Sequence, residues 1–406
     1  MSAALRRSAR SFAIPNFRRY FAGQLVSLSG TWLQTVAETW LVLQLTHSGV
    51  AVGVAAALQF APMLLGGAWG GLIADRLPKR RLLLATQTAM TVPALALFAL
   101  TASGSIELWM LYSLIFARGA MNAIDHPARQ AFVVEMVGPE HLVNAVSLNG
   151  ALINAARTIG PALAGVLIAT VGVAACFAVN AVSFAAMIVA LRGMDRAALR
   201  PAPRAAREPG QLRGALRYVA ATPELRIPLT LMALVGTFTF NFQVLLPLLA
   251  TFTFDGGAGV YAAFTTAMGA GAIAGAIANG ARTRVPPALL VGAALVFGGL
   301  TVGLAATPDA ALATGALVLV GAASVAFAAS VNSFLQLAVA PAMRGRVMAL
   351  YSIVFLGSTP IGAPLMGWLA GAAGPRAALA LGGIVAVGAA LAARAAFARS
   401  GVAAAA

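Results

Sequence analysis

Charge is the scarcest property of this chain. Only 9% of its 406 residues are Asp, Glu, Lys or Arg, while 60% are hydrophobic. Mean hydropathy is +0.89. Ordinary soluble domains carry about 25% charged residues. A water-soluble enzyme, a nucleic-acid binder or a disordered chain could not cover its surface with so few. Cysteine is all but missing: Cys176 is alone, which excludes an intrachain disulfide and paired-thiol zinc or redox chemistry. The three histidines, His47, His126 and His141, show no ligand spacing, so neither a metal nor a cofactor is expected. Lysine occurs once, at Lys79, and no Gly-x-x-x-x-Gly-Lys-Ser/Thr sequence is present, so this chain has no nucleotide-phosphate loop. Acidic residues are few as well, 11 against 27 Lys+Arg, for a net charge of +16.

What fills the chain instead is long apolar runs. A bilayer core of about 30 Å takes about 20 apolar residues as helix. Twelve such runs are read at roughly 20–45, 49–73, 82–103, 106–124, 143–171, 173–191, 227–252, 258–280, 287–306, 310–333, 347–371 and 377–397. The expected fold class is an all-α polytopic membrane protein, twelve transmembrane helices in two pseudo-symmetric six-helix bundles. The cations lie between the runs, and 24 of the 27 fall on one side. They include Arg6, Arg7, Arg10, Arg18 and Arg19 at the N-terminus, Arg76 to Arg81 after run two, and the arginines of 192–226. Arg376 alone falls on the other side, and Arg118 and Arg157 lie inside runs. By the positive-inside rule both termini are expected to be cytoplasmic and the location to be the cell inner membrane. The basic excess then serves topology and anionic lipid, with no nucleic-acid partner.

Residues 192–226 form the one long polar stretch, with Pro201, Pro203, Pro209 and Pro223 among spaced arginines. The expected organisation is a basic N-terminus (1–19), a first six-helix bundle (20–191), an Arg-rich cytoplasmic linker (192–226), a second bundle (227–397) and a tail (398–406). Self-comparison supports two halves. At a constant offset of 202, residues 119–178 align without gaps on 321–380 with 14 identities in 60, among them Gly119/Gly321, Gly160/Gly362 and Gly172/Gly374. Duplicated halves are a transporter architecture, with the substrate site expected between them near the midplane.

Charges inside a membrane mark function, because an ionised side chain at a helix centre costs about 2.5–3.5 kcal/mol on translocon scales. Glu38 ends a polar stripe of Gln24, Ser27, Thr31 and Gln34 at steps of 3 and 4, which share one helical face and are expected to line a cavity. Arg118, Asn122 and Asp125 share a face of the fourth helix; Asn154, Arg157 and Pro161 share one of the fifth. At 1.5 Å per residue, Glu38 lies about 12 Å from the outer end of its helix, Arg118 about 16 Å and Arg157 about 21 Å. Glu38–Arg118 is the closer expected pair. Burial raises a carboxylate pKa and a nearby arginine lowers it, so a pair made and broken during a cycle could carry a proton. Asp125, Arg129 and Glu135 read as gate or loop residues near the cytoplasmic face. Runs nine and twelve, almost free of polar side chains, are expected to face lipid.

Three motifs resemble known ones. Gly71-Leu72-Ile73-Ala74-Asp75-Arg76-Leu77-Pro78-Lys79-Arg80-Arg81 resembles the loop signature of the major facilitator superfamily, Gly-x-x-x-Asp-Arg-x-Gly-Arg-Arg/Lys. Pro78 stands where that signature has glycine. The resemblance implies a cytoplasmic gate built from Gly71, Asp75, Arg76, Lys79 and Arg80. Gly160-Pro161-Ala162-Leu163-Ala164-Gly165 resembles the helix-five signature of the antiporter branches, with Ala156 and Ala164 in place of two glycines. It implies a proline kink and tight packing at Gly160, Pro161 and Gly165. Asp125-His126-Pro127-Ala128-Arg129-Gln130, followed by Asn149, Asn154 and Arg157-Thr158-Ile159-Gly160-Pro161, resembles the bacterial efflux group that includes the enterobactin exporter.

The resemblance implies the major facilitator fold and a monomeric secondary exporter of a small organic solute, drug- or siderophore-like, exchanged for protons. A nutrient importer on the same fold, or a sensor or scaffold that does not transport, are the alternatives. A membrane-embedded enzyme would need a catalytic constellation at a membrane face, and no Ser-His-Asp, HExxH or paired-carboxylate grouping is seen.

Overall fold

A computed structural model describes residues 10–200, 211–280, 285–340 and 343–400, all of them helix, turn or coil. Arg6 and Arg7, the middle of the expected linker, Arg282, Arg284 and the tail beyond residue 400 lie outside the described residues. The chain divides into two compact units. The first holds the described residues up to Leu45 and from Ala61 to Arg200; the second holds Thr46–Phe60 and the described residues from Gln211.

The first six helices are α1 (Pro15–Thr46), α2 (Gly49–Arg76), α3 (Lys79–Ala102), α4 (Leu108–Val137), α5 (Leu142–Thr170) and α6 (Val173–Arg192). A short helix α7 (Gln211–Ala221) follows. Then come α8 (Pro223–Phe238), α9 (Phe242–Phe252), α10 (Ala258–Gly280), α11 (Pro287–Ala305) and α12 (Ala310–Ala338). The last three are α13 (Arg344–Gly357), α14 (Thr359–Ala373) and α15 (Pro375–Arg399). Ten spans among the described residues are long and apolar enough to cross a membrane, with α8–α9 and α13–α14 each counting as one. The remaining two crossings are α1 and α4, which have the length, 32 and 30 residues, but carry the internal charges. Exposed Val143, Val166, Val182, Ile277 and Ile384 give the helices an apolar outer surface that only lipid would cover.

The chain departs from the expected spans at three places. Helix α4 continues to Val137, three turns beyond the run 106–124, because its charged end is paired rather than solvated. The seventh crossing breaks at Thr239–Asn241: the Asn241 side-chain amide, rather than its backbone N–H, donates to the Thr237 carbonyl at 2.7 Å. The eleventh breaks at Ser358, ahead of Thr359-Pro360, where proline supplies no N–H and its ring crowds the preceding turn. Helix α5 runs unbroken through Pro161. The Leu77–Pro78 turn accepts proline in place of glycine, since Pro78 sits at φ −58°, within the ring's fixed range, and caps α3.

Residues 46–60, expected with the first bundle, belong to the second unit. A Cβ on Gly53 would strike the Ala363 carbonyl, and one on Gly49 the Gly367 carbonyl at 2.5 Å, so this half of α2 and α14 touch backbone to backbone.

Each unit repeats the other's internal plan. Helix α3 packs on α6 in the first, and α11 on α15 in the second. Helices α11 and α15 thus bury one face on each other and expose Val296, Ile384 and Leu391 on the opposite one. Gly160 abuts α1 at Ser29 and Trp32, and its repeat partner Gly362 abuts α8 at Thr237. Gly172 and Gly374, also partners, both take positive φ, 105° and 90°, at the turn into the sixth helix of each half.

Candidate functional site

Every site residue singled out in the sequence lies in the first unit. Its centre is Glu38 on α1, buried to 2% exposure, facing Arg118 on α4 at 1%. The contact is a two-pronged one. Arg118 Nη2 donates to Glu38 Oε2 at 2.5 Å and Nε donates to Oε1 at 3.1 Å. Gln34, one turn earlier on α1, donates to Oε1 at 2.7 Å. Asn180 of α6 donates to Gln34 Oε1 at 2.5 Å, and Ser183 Oγ donates to Asn180 Oδ1 at 2.8 Å. A buried relay of four polar side chains thus runs from the carboxylate across to α6. Gly30 makes room for it, since a Cβ there would meet the Ser183 and Asn180 side chains. Arg118 Nη1 is buried with no hydrogen-bond partner among the described residues.

The α1 stripe was expected to line a cavity. Instead it is packed: Gln24 donates to Asn149 of α5 at 2.8 Å, and Ser27 Oγ donates to Gln87 of α3 at 3.0 Å. Only Thr31, which donates back to the Ser27 carbonyl, stays half-buried. Polar partners on α3, α5 and α6 engage most of the stripe inside its own unit, leaving the buried Gln24 Oε1 without a hydrogen bond among the described residues. Asn122 is half-buried, and Asn154 is half-buried with its amide on the Gly150 carbonyl at 3.0 Å.

Asp125, Arg129 and Glu135 are not loop residues. Asp125 is 3% exposed and accepts from Thr86 Oγ1 at 2.6 Å, from Gln87 Nε2 at 3.0 Å and from Arg129 Nε. The Tyr20 hydroxyl lies beside the Arg129 guanidinium. This second buried charge centre ties α1, α3 and α4 together. The sequence singled out Asp125 and Arg129 but not their α3 partners, because Thr86 and Gln87 carry no distinguishing spacing.

The α2–α3 turn holds the motif residues. Lys79 pairs with Glu135 of α4 at 3.5 Å. Buried Arg80 donates to the carbonyls of Leu191 and Arg192 at 2.7 and 3.2 Å, fixing the start of α3 to the end of α6. Asp75 and Gly71 are half-buried and Arg76 is exposed. Close approach to α4 is made at Gly70, one residue before the motif glycine: a Cβ there would strike the Ala123 carbonyl. Nearby, Glu140 accepts from Arg200 at 2.8 Å. Its own backbone N–H and the Arg200 guanidinium hold the carboxyl below the usual range. Gly165 and Pro161 are buried in α5.

Arg157 is different. It sits deep in the packing yet half-exposed, its guanidinium carbon 5.2 Å from the centre of the Trp32 ring on α1. Among the described residues it makes no ion pair and no side-chain hydrogen bond. A cation–π contact contributes about 0.5–2 kcal/mol. That is short of the roughly 2.5–3.5 kcal/mol an ionised side chain costs at a helix centre. No three of His, Cys, Asp or Glu come together as a metal site among the described residues.

A helical membrane chain with duplicated six-crossing plans and internal ion pairs defines a polytopic transporter of the major facilitator class. The chain belongs to the family described as transmembrane secretion effector, which it matches over residues 8–404. The staphyloferrin A transporter of Staphylococcus aureus is 30% identical over 168 residues, 41% of this chain and 42% of that protein. Enterobactin exporter EntS of Citrobacter koseri is 27% identical over 210 residues, 52% of this chain and 50% of that one. The chain's match thus spans half or less of each relative. Among solved structures, a peptide transporter superposes with a TM-score of 0.76 at 13% identity, covering 95% of this chain and 94% of its own. At that identity the likeness concerns the fold.

Proposed function

We propose that this chain is a secondary active exporter of a small organic solute across the cell inner membrane, exchanging it for protons by alternating access, with both termini cytoplasmic. The observation that carries the reading is the fully buried Glu38–Arg118 pair, linked through Gln34 to Asn180. A buried pair of this kind adds little net stability over an apolar contact of similar size, so it is weak as a structural device. As a coupling device it has the required parts: a carboxylate, a competing cation and a polar relay to a neighbouring helix. Proton entry would neutralise Glu38 and release Arg118; proton exit would restore the pair.

The relatives named staphyloferrin A transporter and enterobactin exporter support export and a siderophore-like cargo. The Lys79–Glu135 and Arg80 contacts suit a cytoplasmic latch at the α2–α3 turn, which also carries Asp75 and Arg76. In proteoliposomes, Glu38→Gln is expected to abolish efflux driven by a pH gradient. Asp75→Asn is expected to slow turnover without abolishing coupling. Normal gradient-driven efflux in Glu38→Gln would remove the carboxylate from the coupling role. Counterflow of a labelled compound separates this reading from a sensor or scaffold, and its direction under a pH gradient separates export from import.

A further inference from the structure

Arg157 is a membrane-embedded cation without an anion among the described residues. It lies in the middle of α5, about 22 Å from the helix start and about 20 Å from its end. Lipid headgroups lie at helix ends, so they are out of its reach. Among the described residues no carboxylate pairs with it, whereas Arg118 is matched by Glu38 and Arg129 by Asp125. Its position is built. Gly160, one turn along, presses α5 onto α1 so closely that a Cβ would come within 2.6 Å of both the Ser29 carbonyl and Trp32 Cβ. That contact sets the Trp32 indole under the Arg157 guanidinium, and both side chains are half-exposed. Among the described residues, the guanidinium donors make no hydrogen bond.

We propose that Arg157 and Trp32 recognise the cargo, and that the cargo carries a carboxylate on a planar, π-rich group. The inference rests on the transporter reading above and names its substrate class. A guanidinium presents parallel N–H donors that match a carboxylate in two-pronged fashion. A singly charged carboxylate cancels the one unmatched positive charge, whereas a dianionic phosphate would leave the site negative. The indole supplies a flat, polarisable face beside the ion pair.

The test is binding of simple aromatic acids to the purified full chain. Benzoate and salicylate are titrated against their uncharged counterparts benzamide and salicylamide, with the shift in melting temperature as readout. Wild type, Arg157→Gln, Arg157→Lys and Trp32→Phe are compared. The acids are expected to protect and the amides not to. Apparent affinity should fall at least about tenfold in Arg157→Gln and less in Arg157→Lys, which keeps the charge but not the fork. Arg157→Lys and Trp32→Phe carry the test if Arg157→Gln does not fold. Equal protection of wild type and the variants, equal protection by the amides, or no protection by any acid overturns the proposal. Displacement of salicylate by phosphatidylglycerol would assign the site to lipid and overturn it too. Solute flux in proteoliposomes without Arg157-dependent protection leaves transport standing and removes this site. Arg157-dependent protection without flux of any solute does the reverse.

Discussion

At the scale of single residues, the first unit is organised around charges that lie where charges are costly. Glu38 and Arg118 are each almost wholly buried, so removing one strands the other. Arg118→Ala should destabilise the protein by about 3–5 kcal/mol. Replacing both, as Glu38→Gln with Arg118→Met, should cost much less, and thermal unfolding of the two variants in detergent compares them directly. A single variant as stable as the wild type would mean the pair is not desolvated. Glu38 and Arg118 were legible in the sequence, because a lone carboxylate and a lone arginine in apolar runs stand out and rise-per-residue arithmetic puts them at similar depth. Asp125 was not. Its neighbours His126, Arg129 and Gln130 look like a polar loop. The groups that make its burial tolerable, Thr86 and Gln87, lie about forty residues earlier on α3.

At the scale of elements, small residues set how closely helices approach. Gly160 has no space for a side chain against α1, while Gly150, three turns earlier on the same helix, meets no other helix among the described residues within 4 Å of its Cβ position. Gly160→Ala should therefore cost about 1–3 kcal/mol by overpacking. Gly150→Ala should stabilise by about 0.4–1 kcal/mol, because a helical glycine gives up more backbone freedom on folding. Equal melting temperatures for the two variants would contradict the close crossing of α1 and α5.

The turn after α4 gives a pH prediction. Since the folded state holds the Glu140 carboxyl below its ordinary range, its contribution is present at neutral pH and is lost as pH falls through the depressed folded value. The stability difference between wild type and Glu140→Gln, small because the pair is exposed, should shrink toward zero on acidification below about pH 4. A difference that grew on acidification would contradict the assignment.

Helix boundaries followed hydropathy closely where the runs were purely apolar, as in α6 and α10. They failed in α4, whose last three turns are polar, and at the breaks before α9 and α14. There, side-chain capping by Asn241 and the Thr359-Pro360 step interrupt runs that hydropathy alone joins. The assignment of 46–60 to the second unit was likewise invisible, because it depends on glycines meeting backbone three hundred residues away.

At the scale of the whole molecule, the asymmetry of arginine and the internal repeat set the topology, and both can be checked without a substrate. Cys176 is buried and is the chain's one cysteine, so its replacement gives a background for single-cysteine labelling. Ser105→Cys, in the exposed α3–α4 turn, should react with a membrane-impermeant maleimide on intact cells. Ala198→Cys, exposed beyond α6, should react only after permeabilisation. The opposite pattern would reverse the orientation proposed for the termini.

The central claim is that one buried acid joins proton movement to solute movement. The most direct measurement compares two fluxes of a single labelled solute, selected by thermal protection of the purified protein, in vesicles containing wild type or Glu38→Gln. With the acid neutralised, exchange of solute across the bilayer at equal pH should persist while accumulation against a gradient disappears. Undiminished accumulation in that variant, driven by the same pH difference, would contradict the account.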